Sequence, residues 1–230
     1  MIEPKEDRTC YASPEQREVL LKLAKDKLLD SGFFLTGGTA LAVFYLHHRS
    51  SNDLDFFTRQ QVDMGEVDFS IKTLWPQNYR KIKDSPTFLS LLIRDVKVDF
   101  VIDPLSSHET RPLYEFEPNN SLQVDSIPNI FSNKLTAMAS RTEPKDFVDF
   151  YYLCSSLEVS SFDAVYQDAL KKDAIFDDPP TAAYQVEQGL HFLLDNLNML
   201  PDLKVKFDQS AFTEFYHELI SWIYGRISPE

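Results

Sequence analysis

The sequence predicts an α+β fold, a mixed sheet flanked by helices and followed by a helical region. Three observations carry this. Short apolar, β-branched runs alternate with helical patterns as far as Pro128. Beyond Pro128 only helical periodicity remains. The 230 residues are 43% apolar, enough for a sizeable core and too apolar for a disordered chain. The predicted division is therefore residues 1–128, carrying the sheet, and residues 129–230, all helical.

The elements follow in order. Ser13, Pro14 and Gln16 read as a capping box with proline at the first helical position, and Val19, Leu20, Leu23, Ala24 and Leu28 continue at helical spacing until Gly32. Residues 33–36 are short and apolar and predict a buried strand. Gly37 and Gly38 make a turn, and residues 39–48 read as a helix with Leu41, Ala42, Tyr45 and Leu46 on its core side. A strand starting near Asp53 runs to Thr58, and residues 63–75 predict a helix. Arg80, Lys81 and Lys83 read as a solvated loop. Residues 87–93 and 96–102, separated only by Arg94 and Asp95, predict a hairpin, although that pair is not the favoured Asn-Gly type. Prolines 104, 112 and 118 predict an extended excursion, with one more strand at 122–124. Helical patterns follow at 129–141, 144–157, 161–172, 181–197 and 208–224.

The chemistry concentrates in the first part. Asp53 and Asp55 are two apart in a strand, so both side chains share one face. Asp99 lies mid-strand between Val98 and Phe100. Ionised carboxylates among apolar neighbours need partners. If the strands adjoin, the three converge into a set of hard oxygen ligands suited to Mg²⁺, with Mn²⁺ as the alternative ion, and to phosphoryl transfer. Asp99 is then also placed to act as a general base. The structural alternative is a strand edge, with Asp99 paired to Lys97 or an arginine. Gly37, Gly38 and Thr39 put backbone N–H groups at a helix start, a cradle for the phosphates of an NTP. Arg49 reads either as a phosphate contact or as the partner of the acidic pair, and Ser51, close to both, is a candidate nucleotide-binding residue. Lys134, Met138 and Arg141 share a helix face, which offers Lys134 and Arg141 to a nucleotide. Asp146 and Asp149 share a face of the next helix, where Lys145 is spaced to pair with Asp149. His47 and His48 have no histidine or cysteine at metal-binding spacing and read as packing or surface residues.

Composition excludes other classes. Net charge is −13, from 23 basic and 36 acidic residues, and both parts of the chain are acidic, so there is no broad basic footprint for nucleic acid. Two cysteines, Cys10 and Cys154, suggest neither a disulfide scaffold nor a zinc cage. No apolar run approaches a membrane span, and the charged start lacks a signal-peptide core, so the expectation is a cytoplasmic protein with no membrane partner.

The run Thr36-Gly37-Gly38-Thr39-Ala40-Leu41 followed by His48-Arg49-Ser50-Ser51-Asn52-Asp53-Leu54-Asp55-Phe56-Phe57 resembles the AbiEii/AbiGii toxin-type nucleotidyltransferases of the DNA polymerase β-like superfamily. The likeness extends to residues 134–141 and 145–153. It implies a polymerase β-like nucleotidyltransferase core followed by a helical C-terminal region that completes the active site. It implies NTP as substrate and Mg²⁺ as cofactor. Gly38 and Thr39 would cradle phosphate, Asp53 and Asp55 would bind metal, Lys134 would contact the nucleotide, and Asp146 would complete the site. The third acid, Asp99 here, varies in such families. Members act as the toxin of bacterial toxin–antitoxin or phage abortive-infection pairs, some transferring nucleotides to tRNA, which implies an antitoxin protein and a tRNA acceptor as partners. The competing readings are a nucleotidyltransferase acting on a small molecule or protein, and a nucleotide- or partner-binding module without turnover.

Overall fold

The computed structural model describes residues 3–26, 28–29, 32–159 and 161–226. They form two compact units, Met1–Ile127 and Pro128–Glu230. No helix among the described residues is long and apolar enough to cross a membrane.

The first unit is built on a five-stranded mixed sheet in the order β1-β2-β5-β4-β3. Its strands are β1 (Phe34–Thr36), β2 (Leu54–Thr58), β3 (Tyr79–Ser85), β4 (Phe88–Ile93) and β5 (Val96–Ile102). Only β2 and β5 pair in parallel; the other neighbours are antiparallel. Period-two alternation gives the sheet its two faces. Leu54, Phe56, Leu89, Leu91, Val98 and Phe100 are fully buried on one face, where Phe56 stacks on Phe100 and Phe33 meets Phe100 edge-on. The alternate positions Asp55, Ser90, Lys97 and Asp99 occupy the other. A second, two-stranded sheet pairs β6 (Leu113–Glu117) with β7 (Asn120–Gln123).

Helix α1 (Pro14–Lys25) starts as the sequence predicts: Ser13 accepts from the Gln16 N–H. The box does not close in its usual way. Gln16 Oε1 accepts from the Ala12 N–H, and its amide nitrogen donates to Thr39 and to the Asp53 carbonyl. The helix stops at Lys25, earlier than Gly32; part of the stretch between lies outside the described residues. The predicted helix over 39–48 is interrupted: α2 (Gly37–Leu41) passes into a π-helical turn over Ala42–Leu46, closed by His47 in a left-handed conformation. Helix α3 (Met64–Leu74) is capped by Asp63, which accepts from the Gly65 N–H.

Two expectations are corrected. Arg80, Lys81 and Lys83 lie not in a loop but in the edge strand β3, whose interior positions are all exposed. Such a strand has no apolar alternation to read, and edge strands use charge and bulges to discourage further pairing. A bulge sits between Lys81 and Lys83. The proline-rich excursion also contains β6, which the sequence reading omitted. The β4–β5 hairpin is as predicted, and its turn works because Arg94 and Asp95 both take positive φ, at 50° and 63°.

The second unit is helical: α4 (Ile127–Ser140), α5 (Pro144–Ser156), α6 (Asp163–Leu170), α7 (Pro179–Asp195) and α8 (Gln209–Tyr224). Its core gathers Phe147, Phe150, Leu153, Val186, Leu190, Phe212 and Tyr216, all fully buried. The buried Tyr216 hydroxyl donates to the Phe147 carbonyl at 2.6 Å, joining α8 to α5.

Candidate active site

Register decides which polar groups meet. Asp55 on β2 is paired with Asp99 on β5, and Asp99 with Ser90 on β4. Two carboxylates thus stand side by side on adjacent parallel strands, which is destabilising without counter-charge. Asp53 lies one residue before β2 begins. Its backbone is fixed from behind, since its carbonyl accepts from Gln16 Nε2 and from the Thr39 hydroxyl.

The glycine turn abuts these acids. Gly37 has φ +68°, and a Cβ built there would lie 2.5 Å from Asp55 Oδ2. At Gly38 a Cβ would crowd the Arg49 guanidinium, which would have to shift. Arg49 is itself buried and donates to the Ser50 carbonyl at 2.8 Å. The Thr39 hydroxyl is fully buried, engaged with Asp53 and with Ser51 Oγ at 2.9 Å. That side chain therefore positions the Asp53 segment. Gly37→Ala is expected to cost roughly 1–2 kcal/mol from the left-handed backbone alone. It should also push the Asp55 carboxylate aside. Urea unfolding and a transfer assay on the variant should both fall; unchanged activity would show that the close approach has no catalytic consequence.

Lys97 is the residue that sequence reasoning undervalued, offering it only as a structural partner. Its ammonium lies 2.6 Å from Asp99 Oδ2, while Ser90 Oγ donates to Asp99 Oδ1 at 2.6 Å. Partial burial works to lower the Lys97 pKa. The Asp99 hydrogen bond and the charges of Asp99, Asp53 and Asp55 outweigh it, so the pKa is raised. The charges of all three carboxylates are thus felt at Lys97. The i, i+2 spacing of Lys97 and Asp99 was a readable signal; Ser90 had none, because its place depends on register.

In the second unit, Lys134 on α4 bridges two buried acids of α5, at 2.8 Å from Asp146 and 2.6 Å from Asp149. Arg141 Nε lies 2.8 Å from the other Asp146 oxygen, with its side chain largely exposed. Burial works to raise the Asp146 pKa, but the Lys134 charge and Arg141 outweigh it and hold it below the usual carboxylate range. Asp146 also sits in the first turn of α5, where a negative charge is favoured.

Known proteins share both sequence and fold with this chain. An uncharacterised protein of Aquifex aeolicus (strain VF5) is 34% identical over 143 residues, spanning 60% of this chain and 65% of that relative. A crystal structure of a nucleotidyltransferase candidate from H. pylori superposes with a TM-score of 0.57 at 19% identity, covering 94% of this chain and 97% of that one. JHP933 from Helicobacter pylori gives 0.54 at 19% identity, with 94% of each chain covered. At such identities the likeness establishes the fold alone, the mixed sheet with helices that those structures share with this chain. Residues 19–216 match the family described as nucleotidyl transferase AbiEii toxin, type IV toxin–antitoxin system. This match covers most of the chain, which belongs to the AbiEii family of toxin-type nucleotidyltransferases.

Proposed function

We propose that the chain is a Mg²⁺-dependent toxin that moves a nucleoside monophosphate from an NTP to an acceptor hydroxyl, with tRNA as acceptor and a cognate antitoxin protein as partner, acting in the bacterial cytoplasm in toxin–antitoxin or phage-defence pairs. The observation that supports it best is the register of Asp55 with Asp99 beside the Gly37 turn. The donor set fits a hard divalent cation, because Asp53, Asp55 and Asp99 offer only carboxylate oxygens there. Bound Mg²⁺ (or Mn²⁺) would supply positive charge opposite the phosphate oxygens of the NTP.

The chain's own groups do the rest. Backbone N–H groups at Gly37, Gly38 and Thr39 orient phosphate oxygens at the start of α2. Arg49 adds a fixed positive charge, and Ser51 holds Thr39 in place. Asp99 takes the proton of the acceptor hydroxyl only after giving up one of its two present partners, Ser90 or Lys97. Lys134, Arg141 and Asp146 form an ion-pair cluster of their own within the second unit. The acidic surface, at net charge −13, favours a compact acceptor over a polyanion and supports the second reading, a small-molecule or protein acceptor.

Each α-labelled NTP, incubated with the chain, Mg²⁺, total bacterial RNA and cell extract, tests this. Label on tRNA supports the proposal and identifies the nucleotide. Label on protein or small molecules favours the second reading. No label in any fraction overturns both. Lys97→Met removes a cation that competes with the metal. It is expected to tighten Mg²⁺ binding roughly fivefold, on the order of 1 kcal/mol for a side chain this exposed. Titration calorimetry showing weaker binding instead would place the metal elsewhere.

A further inference from the structure

A second constellation lies on the N-terminal segment, apart from the carboxylate row. The side chains of Asp7, Cys10 and His47 bring a carboxylate oxygen, a thiol sulfur and a ring nitrogen within 4.8 Å of one another. Sequence spacing hid it, since His47 is remote from the other two along the chain.

Local structure explains the convergence. Asp7 caps a single 3-10 turn, Arg8–Cys10, accepting from Thr9 N–H at 2.9 Å through Oδ1. That turn carries Cys10 to a fully buried position, as a thiol outside any disulfide. The segment is stitched to the π-helical turn by Lys5 N–H to Phe44 carbonyl and Asp7 N–H to Val43 carbonyl, both 2.8 Å. His47 closes that turn at φ 54°, a conformation uncommon for a residue with a side chain. Its Nδ1 is buried without a hydrogen-bond partner, a costly state for a ring nitrogen unless something else binds it.

We infer that Asp7, Cys10 and His47 form a binding site for a borderline-soft divalent cation, Zn²⁺ by ligand chemistry, distinct from the all-oxygen site at Asp53, Asp55 and Asp99. Thiolate, imidazole and carboxylate are the three ligand types of protein zinc sites, whereas Mg²⁺ avoids sulfur and nitrogen. Tetrahedral bonds of 2.0–2.3 Å place ligand atoms roughly 3.3–3.8 Å apart, within reach of small side-chain adjustments here. Binding releases the Cys10 thiol proton to solvent as the thiolate forms. The fourth position falls to water. A metal there clamps the N-terminal segment to the end of the π turn. It also steadies the Ser51 strand segment, whose N–H donates to the Cys10 carbonyl at 3.0 Å and which leads directly to Asp53.

The 230-residue chain, purified without chelator and gel-filtered, should retain about one equivalent of zinc. Titrated with Co²⁺ alone, the metal-stripped chain should show a sulfur-to-cobalt charge-transfer band. The oxygen-only site cannot produce that band, so this result is independent of the proposed activity. The band should vanish in Cys10→Ser and persist in Cys154→Ser. His47→Asn, which tolerates the left-handed backbone, and Asp7→Asn should each weaken Co²⁺ binding roughly tenfold or more. Should Cys10→Ser fail to fold, the wild-type band and its persistence in Cys154→Ser decide the question. No sulfur band in the wild type, a band removed by Cys154→Ser, or unchanged affinity in both His47→Asn and Asp7→Asn would overturn the assignment.

Discussion

An Asp55→Ala chain is expected to lose nucleotide transfer by roughly three orders of magnitude while unfolding no more easily than the wild type. A lost metal-ligating carboxylate costs several kcal/mol of transition-state stabilisation, and each 1.36 kcal/mol is tenfold in rate. The fold should hold because the residue lies in the partly exposed face of β2, whose apolar neighbours Leu54 and Phe56 remain fully buried. Stability should rise if anything in metal-free buffer, because Asp55 faces Asp99 across a ladder where like charges repel. The expected signature is thus activity lost with thermal midpoint kept or raised. Near-normal turnover would remove Asp55 from the site, and a large drop in midpoint would assign it a structural role.

The second large effect lies in the helical unit and runs the other way. Lys134→Met is expected to destabilise that unit by about 3–5 kcal/mol, the usual cost of breaking a buried ion pair from one side. The ammonium neutralises Asp146 and Asp149 together, and both acids are fully buried. The pH dependence gives a second readout. The folded pKa of Asp146 is held below its unfolded value, so its contribution is present above about pH 4 and lost as pH falls through the depressed folded value. The wild type should therefore lose stability on acidification below the ordinary carboxylate range, and Lys134→Met should lose less there. Urea unfolding from neutral pH downward checks both. A variant as stable as the wild type at neutral pH would mean that the bridge contributes nothing net.

Much of this architecture was legible because it depends on local rules. Ser13 capping and the apolar, β-branched runs of β4 and β5 each act within a few residues. The Asp53 and Asp55 pair and the glycine turn were visible for the same reason. What escaped depends on tertiary pairing. Ser90 follows from register between strands, as does the placement of Asp99 beside Asp55, which the sequence analysis could state only as a condition. Strand β3 escaped because solvent covers its side chains, leaving no apolar period. The break at Ala42 escaped because a π turn keeps the apolar composition of the helix it interrupts. The Thr39 hydroxyl, expected toward phosphate, proved to be turned inward onto Asp53.

The parallel ladder between β2 and β5 has a kinetic consequence. These strands are separated along the chain by α3, β3 and β4, so their pairing must close a long loop before it returns any contact energy. The same closure drives Asp55 against Asp99. Closure of this ladder is therefore expected to work against like charge at Asp55 and Asp99, with Lys97, 2.6 Å from Asp99, offsetting part of it. Refolding of the chain is then expected to quicken with added salt, which screens that repulsion without altering a residue.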